Sequence, residues 1–321
     1  MNIPLLRQLR QAGGSFLPLE ALGSDGAGRD LDELSAFGFA IERHPYRGVA
    51  YRGPAARLCP DQIEFELGTS RVGRRVAVWN RVSSTNDLAA RAAVSTANEG
   101  LVVLAEEQSA GRGRRGRAWT APPRSSILMS VLLFPDGPLA EPAWLTALGA
   151  VAVAEVVSEW AGSDAAIKWP NDVRVGGRKL AGILVERGAG AAVVGIGVNA
   201  NLAPADLPDE LRGTATSLRI LTGAPVDRSE LARALIRRLD ALYETSRGDG
   251  AAALNDVWRA RSEHIGRRVA VSTPAGTVLG RLDDMDLWDG LRLTAPDGRA
   301  QPIPARHVLA IQQAGPVAAG S

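Results

Sequence analysis

The sequence predicts a mixed α/β (α+β) fold in three parts: a small helical N-terminal module, a central domain built on a mixed sheet, and a small barrel at the carboxy end. Three observations predict it. Short apolar strands alternate with helical patterns from Val76 to Arg261, as in a sheet covered by helices. From Arg267 the texture changes to short strand-like runs separated by Ala-Gly and Asp-Gly turns, which fits an antiparallel barrel of about 50 residues. The start of the chain reads as three short helical segments followed by an alternating run, the order of a winged helix-turn-helix. The expected boundaries are 1–60, 61–263 and 264–313, with a tail at 314–321.

Pro4–Gln11 carries apolar residues at helical spacing and ends at a Gly-Gly pair; Leu17–Leu22 and Leu31–Phe37 are the next two segments, and Phe39–Tyr51 alternates like a hairpin. Pro54–Pro60 reads as a linker. Central strands are expected at Val76–Trp79, Leu101–Ala105, Ser126–Phe134, Ala166–Trp169, Ala181–Glu186 and Ala191–Val198. Helices are expected at Thr85–Val94, Pro142–Trp160, Arg228–Thr245 and Ala251–Arg261. The barrel strands are Arg268–Thr273, Thr277–Asp283, Gly290–Thr294 and Gln301–Pro304, and the alanine-glycine tail from Ala314 is expected to fray.

Of the 321 residues 45% are hydrophobic and 22% charged, a globular balance with room for two or three domains. A single cysteine, Cys59, excludes an internal disulfide and a thiolate metal cluster and suits a reducing cytoplasm. Arg7 and Arg10 interrupt the apolar start, so no secretory signal is expected, and Glu155 and Glu159 break the longest apolar stretch, so no membrane span is expected. A net charge of +2 is too small to imply a nucleic-acid or membrane partner, despite a pI of 9.0. The cations themselves are biased: 35 of 37 are arginine, and the two lysines, Lys168 and Lys179, lie eleven positions apart. Ammonium and guanidinium differ physically at demanding sites, so this placement suggests a site that needs an ammonium, the bland alternative being chance.

The strongest local signal is the run from Gly111 to Trp119, GRGRRGRAW. Its glycines let the backbone bend closely around a ligand while guanidinium groups converge on anions. A phosphate-binding P-loop would need a Gly-Lys-Ser/Thr ending, and an RNA-binding arginine-glycine segment would be long and repeated, whereas this run lies between two strand-like segments. The bland alternative is a solvated loop. A second signal is IKWPNDV at 167–173 followed by RKLAGILVE at 178–186. Pro170 ends a strand, the turn frees Asn171 and Asp172, and a Gly-Gly turn returns the chain through Lys179, so a hairpin brings both segments together. Alone, a tight turn with a solvated lysine would be the favoured reading. The third is Ser84-Thr85-Asn86 where a strand enters a helix, a place for an ordinary N-cap or for polar groups that read a small ligand.

Together, in this order and spacing, the three segments resemble the catalytic domain of biotin protein ligases, whose pattern of Ser-Thr-Asn, GRGRxGRxW, KWPND and KxAGIL is met at 84–86, 111–119, 168–172 and 179–184. The resemblance runs from about Val76 to Gln313. It implies formation of biotinyl-5′-AMP from biotin and ATP with Mg²⁺, and transfer of biotin to a lysine of the biotin carboxyl carrier protein of acetyl-CoA carboxylase. By the same resemblance Ser84, Thr85, Asn86 and Gln108 contact the ring head of biotin, with Gly182 in the same subsite. Arg112, Gly113 and Arg114 belong to a loop that closes over biotin and the adenylate. Lys179 sits at the biotin carboxylate and α-phosphate, and Arg114, Arg117, Trp119, Lys168, Asn171 and Asp172 lie on the nucleotide side. Lys179, Arg112 and Arg114 are the expected catalytic residues, with no protein metal site. The family also implies a sheet related to class II aminoacyl-tRNA synthetases and an SH3-like carboxy-terminal barrel. The chemistry asks for the same groups: a carboxylate attacks a phosphate, cations offset the repulsion, and a closing loop keeps water from the mixed anhydride.

Other classes fit less well. GIGVNA at 195–200 begins like a dinucleotide fingerprint, but prolines follow where its helix should start. His44, His264 and His307 lie far apart and are expected at the surface, and no hydrolase nucleophile elbow is present. Some family members are also repressors, but residues 1–60 hold seven arginines against six acids, and Gly28–Phe37 sets Arg29 against Asp30, Asp32 and Glu33. Such a face repels phosphates, so the N-terminal module is expected to be degenerate and to bind DNA weakly if at all. Lipoate ligation is the nearest alternative chemistry, and the GRGRRGRAW and KWPND pair favours biotin. A homodimer is left open.

Overall fold

A computed structural model describes residues 1–23, 26–188 and 190–314; the rest of the expected tail, from 315, lies outside the described residues. The N-terminal part contains α1 (Ile3–Gln11), α2 (Ala27–Phe37) and the hairpin β1 (Ala40–His44) and β2 (Gly48–Gly53) around Leu6, Leu9, Leu31, Leu34 and Phe39. Asn2 caps α1 by accepting the Leu5 N–H. The middle segment is a four-residue 3-10 turn, Leu19–Leu22, because Pro18 and Gly23 at φ 72° bracket it too closely for an α-helix. Helix α2 starts four residues before the expected Leu31, at Ala27, which is buried in the module core.

The central part runs α3 (Pro60–Glu64), β3 (Arg75–Trp79), α4 (Thr85–Arg91), β4 (Leu101–Ala105), β5 (Ser126–Leu133), α5 (Pro142–Ala161), β6 (Ala165–Lys168), β7 (Asp172–Val175), β8 (Arg178–Gly188), β9 (Ala191–Asn199), α6 (Leu218–Thr222), α7 (Arg228–Thr245) and α8 (Ala251–Ala260). Seven strands form one sheet in the order β3-β4-β5-β9-β8-β7-β6, antiparallel except for the β3–β4 pair. Alternate side chains face opposite layers. Ile127, Met129, Val131, Val194, Ile196 and Val198 join the core that α5, α7 and α8 complete. Leu132 and Val193 point the other way and pack with Ala89 of α4. Helix α5 is apolar and long enough to cross a bilayer, but it is buried in that core.

Pro54–Pro60 is not a free linker. Leu58 and Cys59 are buried, the Leu58 N–H donates to Glu106 Oε1 and the Cys59 N–H to Ser229 Oγ. Glu106 also forms a buried ion pair with Arg228 at 2.6 Å, which ties the segment to β4 and α7. The prolines around this segment disguise a short buried stretch.

The last part is a five-stranded antiparallel sheet, β10 (Arg268–Thr273), β11 (Gly276–Asp286), β12 (Gly290–Thr294), β13 (Ala300–Ile303) and β14 (Ala310–Gln313), in the order β13-β12-β11-β10-β14. It is docked: Asn255 of α8 donates to Asp286 and accepts the Leu287 N–H, Trp288 packs 5.2 Å from Trp144, and the apolar core is continuous across the junction. His264 lies where α8 hands over to β10. Expected at the surface, it is only 2% exposed, because the crossing is covered by both parts. Burial first, then Lys168, Arg174 and Arg267, push its pKa down to about 4.

Candidate active site

A cavity of about 270 Å³ opens on the face of the sheet that carries α4. Its floor follows from residue size. On β9, Val193 packs under α4, but the next two residues on that face are Gly195 and Gly197. A Cβ at Gly195 would lie 2.4 Å from Asn86 Oδ1, and one at Gly197 2.5 Å from Trp119 Cε2. On β8 the facing position is Gly182, where a Cβ would meet Trp119 at 3.2 Å and Lys179 Nζ at 3.3 Å. Missing side chains on adjacent strands make the depression.

One end of the cavity is a polar cluster at the start of α4. Ser84, Thr85 and Asn86 are all buried there. Gln108 Oε1 accepts both the Thr85 N–H (2.7 Å) and its hydroxyl (3.0 Å), which leaves the Gln108 amide nitrogen free to donate. Ser130 Oγ donates to Asn86 Oδ1 at 2.6 Å, and Asn86 Nδ2 donates to Glu186 Oε2 at 2.7 Å. Both amides are thereby oriented, each with N–H groups left over for a ligand.

The other end is cationic. Arg114, Arg117, Lys168 and Lys179 line it, with Gly113 in the loop above. Lys179 Nζ donates to Asp172 Oδ1 at 2.6 Å and lies 5.6 Å from the Trp119 ring centroid. Asp172 belongs to β7, a four-residue strand squeezed between the Trp169-Pro170 turn and the Gly-Gly turn, which is why alternation alone missed it. Asn171, expected toward the nucleotide, spends its amide on the Ile183 carbonyl at 2.8 Å and so pins the turn to β8. Trp119 lies on the glycine floor with its Nε1 buried and unpartnered among the described residues.

The loop Gly111–Trp119 is closed by a bridge between Arg112 and Ala118. The side chain of Arg112, expected to face a ligand anion, is instead committed to Asp87 and Glu186 at 2.7 and 2.9 Å. Arg115, at φ 57°, donates to the Leu309 carbonyl, so the loop also touches the carboxy-terminal part. All fourteen residues singled out in the sequence line this one cavity.

The model of the biotin/lipoate A/B protein ligase family matches residues 78–202. The bifunctional ligase/repressor BirA of Bacillus subtilis is 32% identical over 306 residues, 92% of this chain and 94% of that protein. The biotin–[acetyl-CoA-carboxylase] ligase of Mycobacterium tuberculosis is 39% identical over 241 residues, 72% of this chain and 89% of that protein. The chain belongs to the biotin protein ligase family. In fold, it is similar to the biotin protein ligase from Aquifex aeolicus solved with biotin and ATP, with a TM-score of 0.65, 23% identity, and coverage of 75% of this chain and 100% of that one.

For a biotin protein ligase family member, sequence reasoning passed over several lining residues. Gly195 and Gly197 sit in the segment taken for a failed fingerprint; their signal was two glycines at strand spacing in an otherwise bulky buried strand. Ser130, Asp87 and Glu186 lie outside the lining and orient it; their roles gave no local signal, because their partners are distant in sequence. Leu309–Gln312, from β14 and the residue before it, complete the wall, and that strand was not expected as an element.

Proposed function

We propose that this chain is an ATP-dependent biotin–protein ligase that makes biotinyl-5′-AMP and passes biotin to a lysine of a biotin carboxyl carrier protein. The observation that carries the proposal is the two-ended cavity, with oriented amide N–H donors at one end and four cations at the other. A ureido carbonyl suits the first end, and a carboxylate meeting a triphosphate suits the second. In the first step a carboxylate oxygen attacks the α-phosphorus and pyrophosphate leaves. Lys179 lowers the repulsion between the two anions, and its contact with Asp172 fixes where its charge sits. Arg114, Arg117 and Lys168 meet the phosphates. In the second step the carrier lysine attacks the acyl carbon, AMP leaves, and the amine proton passes to solvent.

Asp172 is the one carboxylate that lines the cavity among the described residues, a donor set that fits Mg²⁺ held mainly by phosphates and water. The ion would neutralise phosphate charge. The carrier is proposed from the name of the mycobacterial relative. We assign residues 1–60 to a winged helix-turn-helix-like module, 61–263 to the catalytic domain and 264–313 to an SH3-like barrel. The ligase/repressor name of the Bacillus relative makes DNA the second function to test. Against it, Asp32 on α2 pairs with Arg43 and so occupies a cation a phosphate would need. Weak or absent operator binding is expected at physiological salt.

The test is pyrophosphate release from ATP with biotin or lipoate, followed by transfer to purified carrier. Biotin-dependent release and biotinylated carrier are expected; release with lipoate alone, or with neither acid, would overturn the proposal.

A further inference from the structure

We propose that Glu186 is a positioning residue that couples the ring-head end of the cavity to the arginine-glycine loop, and that Arg112 serves as its latch rather than as a ligand for anions. Glu186 projects from β8 on the same face as Gly182 and Leu184, four and two residues earlier. One of its oxygens, Oε2, accepts from Asn86 Nδ2 at 2.7 Å and from Arg112 Nη2 at 2.9 Å; the other, Oε1, accepts from Arg112 Nε at 3.1 Å. The guanidinium is therefore gripped on two nitrogens. Asp87, in the first turn of α4, takes the same Nη2 at 2.7 Å. Arg112 thus spans α4 and β8, and Arg112 and Ala118 pair across the neck of the loop.

Glu186 is acceptor-only when ionised, so it selects the Asn86 rotamer that points the amide nitrogen toward it. The second N–H of that amide is then left for a ligand acceptor, while Asn86 Oδ1 is held by Ser130. The same carboxylate anchors the loop. Arg112, and after it Asn86, hold the Glu186 carboxyl below the usual carboxylate range against the effect of burial, so the ionised state persists. A ligand that fills the head subsite stabilises the Asn86 orientation, and through Glu186 the closed loop. A loop that opens releases both.

The three side chains are each a little over a third exposed, at 39%, 37% and 38% for Arg112, Asp87 and Glu186. Exposed ion pairs contribute little to folding, so the coupling should appear in ligand retention and hardly at all in stability.

The inference rests on the cavity being a biotin site, and the experiment separates the two. Calorimetry with biotin on the wild-type protein comes first; absence of binding there would sink the site assignment itself. Given binding, Glu186→Gln should raise the biotin KM and speed release of the preformed adenylate by about tenfold each, the size of a lost charge-assisted contact. The kcat for pyrophosphate release at saturating biotin should fall no more than about threefold, and the denaturation midpoint should stay close to wild type. Glu186→Asp, which keeps the charge, should recover part of the loss. Hydrogen exchange at 112–117 should be faster in Glu186→Gln with biotin bound. Unchanged KM and adenylate release, or a fall in kcat at unchanged KM, would overturn the coupling.

Discussion

Mild acid should loosen this protein through one histidine. His264 is 2% exposed, its Nε2 has no partner among the described residues, and its pKa is pushed down from 6.5 to about 4. The groups that face it are Lys168, Arg174 and Arg267, all cationic, with Glu263 Oε1 3.9 Å from Nε2. Because the folded pKa lies below the unfolded one, the unfolded chain takes up the proton first. The stability is fully present above pH 6.5 and is lost as pH falls toward 4. A gap of about 2.5 units corresponds to about 3 kcal/mol when complete, of which about 2 kcal/mol is lost by pH 5. That is a sizeable fraction of the ~5–15 kcal/mol available to a typical domain. Asp87 and Glu186, whose carboxyl pKa values Arg112 lowers, lose their contribution as pH falls through the ordinary carboxylate range, so the comparison with the His264 variant isolates the histidine. Urea unfolding at pH 7.5, 6 and 5 measures the effect, with His264→Gln as the non-titrating control. Wild type should lose about 2 kcal/mol across the series and the variant much less. Equal slopes for the two proteins, or a His264 titration midpoint near 6.5 by NMR in the folded state, would refute the reasoning.

Replacement of Lys179 by alanine should lower pyrophosphate release by about 10²–10³, the effect of losing one preorganised cation, and arginine should restore little because a planar fork cannot take the position between Asp172 and Trp119. Near-normal release by Lys179→Ala beside an inactive Lys168→Ala would move that role to the other lysine. Gly195→Ala should raise the biotin KM by at least about tenfold, since the new methyl falls 2.4 Å from Asn86 Oδ1 and must displace the amide that Ser130 and Glu186 orient. Calorimetry reads it directly, and wild-type affinity in this variant would show that the Asn86 orientation does not matter.

How far sequence carried this fold depended on whether a signal was local. Helix α7 and strands β4, β10 and β12 lie where periodicity and turns put them, because each has its caps or turn residues within its own neighbourhood. Asp227, for instance, accepts two N–H groups at the start of α7. Strand β7 and helix α6 are too short, at four and five residues, for a period to register. The site followed the same rule. Motif residues converge on one cavity, whereas Glu186 and Gly195 owe their importance to Asn86, 100 and 109 positions away.

The arginine-glycine loop shows why residue type alone under-determines role. Its four arginines look equivalent in sequence, yet two are committed to protein partners and two are not. Arg112 is neutralised by Asp87 and Glu186, and Arg115 is spent on the Leu309 carbonyl. Arg114 and Arg117 line the cavity and form no ion pair among the described residues. An anion entering the cationic end therefore meets Arg114 and Arg117 without first breaking a salt bridge, whereas recruiting Arg112 would require removing it from two carboxylates. Lys179 is intermediate, because it pairs with a single carboxylate, Asp172, which itself lines the cavity and would be available to hold Mg²⁺ there. The loop thus divides the work between holding itself shut and receiving charge, and that division is set by the carboxylates of α4, β7 and β8.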